Sequence, residues 1–189
     1  MTITVDDLLR MTLDDLHGVV AAARPLDPDA LADSQYQGID LGMPALFHKL
    51  MWRTFRKTFH RDPKTGAIRG WNVRMQQRGI DGPQAPMTDA RGAPRTFGHY
   101  VLRPAGDERF PRGVRCPWAL DYDVPENAWW DPARLGLCPL VAVNDGSNDL
   151  LLGWEVFRPG PLWLPLPDHW ILRREGPLDP MPIPQASSR

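Results

Sequence analysis

Two cysteines in 189 residues, Cys116 and Cys138, with no Cys-x-x-Cys spacing, leave no disulfide framework, zinc ribbon or paired redox thiol to read, and packed thiols are expected. Charge of one sign is missing as well. The chain has 22 basic against 23 acidic side chains and a formal charge of -1, so no global field draws it to nucleic acid or to an anionic membrane. No apolar run approaches the ~20 residues of a membrane-spanning helix, which argues against integral membrane association. The opening residues Met1-Thr-Ile-Thr-Val-Asp-Asp lack a basic start followed by an apolar stretch, and a reduced, cytoplasmic protein is the expectation. Nucleotide loops, nucleophile elbows, metalloprotease motifs and internal repeats are absent too. A chain of this length buries roughly 70% of its unfolded surface, enough for a core without metal or disulfide staples.

What is abundant is indole. Of eight tryptophans, six (Trp71, Trp118, Trp129, Trp130, Trp154 and Trp163) fall between Arg69 and Leu164, in a stretch punctuated by proline and glycine. Before that stretch the grammar is helical. Val5, Leu8, Leu9, Leu13, Leu16, Val19 and Val20 recur at helical spacing behind Thr4, and Asp27-Pro28 offers a cap and an N1 proline for a short turn. Gly38 and Gly42 read as breaks. A second long helix is expected from Pro44 to His60, with Phe47, Leu50, Phe55 and Phe59 on one side and Lys49, Arg53, Arg56 and Lys57 on the other. Its basic back could dock on anionic lipid or an acidic ligand, or be a solvated face.

Six strands are expected after Lys64: 68–76, 96–103, 117–123, 140–143, 150–157 and 169–174, each short, rich in β-branched or aromatic residues and bounded by Gly, Pro, Asn or Asp. Asn144-Asp145-Gly146-Ser147-Asn148 reads as a hairpin, so the fourth and fifth strands should pair antiparallel. Long loops are expected at Arg78–Arg95 and Pro125–Pro139, the latter carrying Cys138. The fold class that follows is α+β: two N-terminal helices packed on a strongly bent antiparallel sheet or partial β-barrel of calycin-like type, in one domain over residues 1–175, with a Pro-rich tail over 176–189 that is disordered or laid on the surface.

Alternation splits each strand into faces. Trp71, Val73 and Met75 share one, as do Trp118, Leu120 and Tyr122, and Leu150, Leu152, Trp154 and Val156. Such rings either fill a core or line a pocket for a small hydrophobic or aromatic molecule, with Trp71, Tyr100, Trp118 and Trp154 as the binding candidates. His99, Asp121 and Glu155 are the acid and base candidates should the protein turn over its ligand, as an isomerase, cyclase or dehydratase of secondary metabolism would. The alternatives are a satisfied histidine and wet aspartates. Asp121, Asp123 and Glu126 lack the spacing and glycine of a calcium loop. A haem would need only His99 or His169, but no cofactor or metal is expected. A third possibility is a scaffold whose oligomer buries Trp129 and Trp130, although the sequence does not fix the oligomeric state.

Leu26-Asp27-Pro28, the glycine pair in Gly38-Ile39-Asp40-Leu41-Gly42, the segment with Trp52 and Lys57, and Tyr122-Asp123-Val124-Pro125 follow one another in an order that resembles a bacterial family of unknown function named for its Gly-x-Trp-x-Gly motif. Aspartate stands here where that motif has tryptophan. The resemblance spans about Leu13 to Arg174 and implies a lipocalin-like fold with no established activity.

Overall fold

The computed structural model describes residues 2–42 and 52–179. Eight strands dominate it: β1 (Ser34–Asp40), β2 (Thr54–Arg61), β3 (Ile68–Arg74), β4 (Thr96–Pro104), β5 (Trp118–Asp121), β6 (Leu137–Ala142), β7 (Leu150–Phe157) and β8 (Leu164–Pro177). Each pairs antiparallel with its neighbours in sequence, and β8 returns to β1 through pairs running from Ser34↔Pro177 to Asp40↔Trp170. The expected bent sheet is thus a closed barrel, a solution that removes the unpaired strand edges of an open sheet. The Asn144–Asn148 segment makes the expected turn between β6 and β7, with Gly146 at φ 71°.

Two strands were not expected. β1 is polar in sequence, and Gly38 reads as a break, yet all seven residues are buried. A Cβ on Gly38 would lie 2.3 Å from the Phe55 ring, so the glycine is the space that ring occupies. β2 overturns the second long helix: residues 54–60 are strand, and 44–51 lie outside the described residues. Phe55 and Phe59 are four apart, a separation that puts two side chains on one face of a helix and also on one face of a strand. Thr54, Thr58 and the two phenylalanines favour the strand. Cys138, expected in a loop, stands on β6.

The single helix expected from Val5 to Val20 is two, α1 (Val5–Arg10) and α2 (Leu13–Ala21), because two capping boxes follow one another. Thr4 Oγ1 accepts the Asp7 N–H at 3.2 Å while Asp7 accepts the Thr4 N–H at 2.9 Å; Thr12 and Asp15 repeat the arrangement at 3.2 and 3.0 Å. Each box satisfies two backbone donors that a helix start leaves free. The short turn α3 (Pro28–Leu31) forms as expected, capped by Asp27 with Pro28 in its first turn.

Two apolar clusters divide the wall of the barrel. Outside, Leu8 of α1 and Leu16, Val19 and Val20 of α2 join Leu150, Leu152, Trp154 and Val156, the outer face of β7. Inside, Tyr36, Phe59, Tyr100, Leu120, Leu140 and Leu172 pack together, with Leu26 and Leu31 in the same cluster. The expected greasy face of β7 therefore points away from the barrel lumen; its inward face is Leu151, Gly153 and Glu155. β8 continues two residues past the expected domain boundary, and Leu178 donates its N–H to Asp33 O at 2.8 Å.

Candidate functional site

Part of the lumen is filled and part is hollow. A cavity of about 420 Å³ is walled by Phe55, Phe97, Tyr122, Phe157 and Trp170, with Trp52, Arg74, Leu166 and the segment Asp131-Pro132-Ala133 also bordering it. The Arg74 guanidinium lies 4.8 Å from the Trp52 ring and 5.4 Å from Phe97. Trp170 can lie across the lumen because β7 has Gly153 opposite: a Cβ there would come within 2.1 Å of the indole.

Two polar groups of this hollow, Asn72 and Glu155, come from the less apolar faces of β3 and β7. Lys57, between Phe55 and Phe59 on β2, is 1% exposed. Its Nζ donates to Asn72 Oδ1 at 2.8 Å and to the Tyr122 hydroxyl at 2.8 Å. Asn72 is oriented for this by its own Nδ2, which donates to Gly98 O at 2.9 Å. Rings complete the surroundings: Nζ is 4.4 Å from the centroid of Tyr100 and 4.7 Å from that of Trp170. Among the described residues no carboxylate lies within ion-pair distance of Lys57. Burial pushes its pKa down to about 7, against the opposing charges of Cys138 and Glu155.

Acids occupy the same hollow. Burial raises the pKa of Glu155 above the usual carboxylate range, while Lys57 and hydrogen bonds from Trp170 and Cys138 oppose the rise. What exposure its side chain keeps is toward the cavity. Cys138 Sγ lies 3.7 Å from Glu155 Oε2. Asp168 is pushed up to about 8 by burial and then by the negative charges of Asp40 and Glu155. The hollow thus holds an amine and carboxyl groups that burial shifts toward their neutral forms, the direction that acid-base and amine chemistry at neutral pH requires.

The structure does not bring His99, Asp121 and Glu155 together. Glu155 lines the barrel cavity. His99 borders a second hollow of about 370 Å³, with His60, Arg69, Trp71, Tyr100 and Glu126 around it, and burial lowers its pKa. Asp121 pairs with Arg103 Nε at 2.8 Å and accepts the Asp123 N–H. Of the ring candidates, Tyr100 stands in the lumen against Lys57, its hydroxyl donating to Thr58 O at 2.5 Å. Trp118 is half-buried against the inner cluster. Trp71 forms a small cluster with Val73 and Met75. Trp154 belongs to the outer cluster, its Nε1 donating to Leu166 O at 2.9 Å. Trp129 and Trp130 are exposed.

Lys57, Asn72, Tyr122, Asp168 and Trp170 carry the cavity and were not singled out from sequence. One signal pointed to the first of them: the chain has three lysines against nineteen arginines, and Lys57 is flanked at period two by phenylalanines. Among the described residues no group of three or more His, Cys, Asp or Glu is placed to hold a metal ion, and no helix is long and apolar enough to cross a membrane. Comparisons with protein-family models, with curated proteins and with solved structures found no match.

Proposed function

We propose that the barrel binds a small hydrophobic or aromatic molecule in its lumen. The observation that carries this reading is the hollow itself: about 420 Å³, walled by aromatic side chains, with a few convergent polar groups beneath them. Small-molecule sites have this composition and fall in the range of roughly 300–1,000 Å³. Gly38 and Gly153 leave room for the Phe55 and Trp170 rings that wall the hollow. A calycin or lipocalin-like relationship, and with it the Gly-x-Trp-x-Gly family, fits the closed antiparallel barrel and is part of the proposal. So is a reduced, cytoplasmic setting, with which two buried free thiols agree.

Native mass spectrometry of the full chain with 2-naphthol and with medium-chain alcohols tests the reading. One equivalent should bind, and Ala133→Trp at the cavity rim should weaken binding by roughly tenfold while leaving the fold intact. Absence of binding across the set, or affinity indifferent to Ala133→Trp, counts against it.

A second reading, turnover of the ligand, is favoured by one observation. Lys57, Tyr122, Glu155 and Asp168 border the same cavity, and burial shifts the pKa of each toward its neutral form. Of the acid-base trio named from sequence only Glu155 remains in it.

A further inference from the structure

We propose that Lys57 is an imine-forming lysine, its amine condensing with the carbonyl carbon of an aldehyde or ketone whose hydrophobic body occupies the barrel cavity. This rests on the reading of that cavity as a binding site and names the chemical class of its occupant. Lys57 lines the hollow, two positions of its Nζ are held by Asn72 Oδ1 and the Tyr122 hydroxyl at 2.8 Å each, and aromatic faces surround the rest. Among the described residues no carboxylate within ion-pair distance locks it as an ammonium, and burial disfavours its charged form.

A structural role alone would not select this residue. Methionine would fill the same space without desolvating an amine, and replacing buried charged groups by apolar ones of similar volume is often neutral or stabilising. The surroundings are also costly to assemble without purpose: Asn72 must be held by Gly98 O, and Tyr122 must bring its hydroxyl into the lumen.

The step balances without any redox partner. The lone pair of the neutral amine adds to the carbonyl carbon and the C=O π pair moves to oxygen, which takes up a proton. Nitrogen loses one proton as the carbinolamine forms and its second as the hydroxyl leaves with a further proton as water, giving a C=N bond. Amine plus carbonyl becomes imine plus water. Tyr122, whose burial keeps it a phenol, stands against Nζ to pass the proton, and Glu155, whose burial favours its protonated form, borders the same hollow.

The low lysine count makes the test clean, because Lys49, Lys57, Lys64 and the N-terminal amine are the only competing sites. The full chain is incubated with 2-naphthaldehyde and sodium cyanoborohydride, which reduces an imine to a stable amine, and adducts are located by peptide mass mapping. In parallel, binding of 2-naphthalenemethanol, the same body without a carbonyl, is followed by tryptophan fluorescence. The expected result is one adduct, at Lys57, formed roughly tenfold or more faster than at Lys64, lost in Lys57→Met and kept in Lys64→Arg. Mapping on the unmodified sequence gives the answer even if Lys57→Met fails to fold. If the alcohol binds and Lys57 stays unmodified, or if all amines react alike, the inference is overturned and the binding site stands. If neither probe engages the cavity, both are overturned.

Discussion

The two sides of the barrel wall both bury titratable groups against tryptophan, with opposite results. Outside, His169 lies stacked on Trp154 at 5.9 Å with 7° between the planes, and His17 meets the same indole edge-on at 4.8 Å. Among the described residues neither ring nitrogen of His169 has a hydrogen-bond partner, and burial, then the His17 and Arg112 charges, push its pKa down to about 4. Inside, Lys57 sits over Trp170 and Tyr100 but is hydrogen-bonded twice and borders free volume. Outside, the imidazole is packing material. Within, the amine is held in position with room in front of it.

The largest break of this contrast comes from truncating a ring on each side. Trp154→Ala should cost about 3–5 kcal/mol of unfolding free energy by denaturant titration, because it empties a close-packed cluster. Phe97→Ala, at a half-buried ring bordering the cavity, should cost only about 1 kcal/mol and appear instead as weaker 2-naphthol binding.

Acid sharpens the contrast next. A histidine whose folded pKa is depressed contributes stability that is whole above about 6.5 and is lost as pH falls through about 4. Thermal or denaturant unfolding across that window should show a loss of roughly 2–3 kcal/mol, and His169→Phe should flatten it. Lys57 follows the same sign in a higher window, since its depressed folded pKa places its contribution intact above 10.5 and erodes it as pH falls through about 7. Lys57→Met should therefore unfold within about 1 kcal/mol of the parent at pH 7, the lost partners of Asn72 and Tyr122 offsetting the removed desolvation. It should also lack the parent's gain in stability on the alkaline side. The rate of naphthaldehyde capture should climb through about pH 7, with Glu155, Tyr122, Cys138 and Tyr100 as the titratable groups facing the amine. The smallest effect belongs to Trp129→Ser with Trp130→Ser: both rings are exposed, and stability should stay within about 0.5 kcal/mol.

The strands after Lys64 were legible because aromatic and β-branched residues alternate between clear turn signals, and Asn144–Asn148 identified one hairpin outright. β1 was hidden by its glutamines and glycine: Gln35 and Gln37, on the face opposite Tyr36, are buried because their amides donate to Asp179 and to Ile80 O, partners far off in sequence. β2 was hidden by the double meaning of a four-residue spacing. Whether the apolar face of β7 filled a core or lined a pocket was not legible for a related reason. Hydrophobicity marks the side that is buried most, and here helices α1 and α2 cover the outside of the wall. Glu155 was visible as a lone acid on a strand, but its partners come from β2, β3 and β8, and no local pattern joins Lys57, Asn72 and Asp168.

Closure through β8 has a consequence for biosynthesis. β1 emerges early from the ribosome, yet Ser34 waits for Pro177 and Asp40 for Trp170 before that border is paired. The lumen and everything in it come into being only once β8 has been made, and until then two unsatisfied borders, on β1 and β7, are open to other chains. A nascent chain halted before Leu164 would carry Lys57 but no enclosure around it, so whatever chemistry this amine performs is reserved for chains in which β8 has closed the barrel.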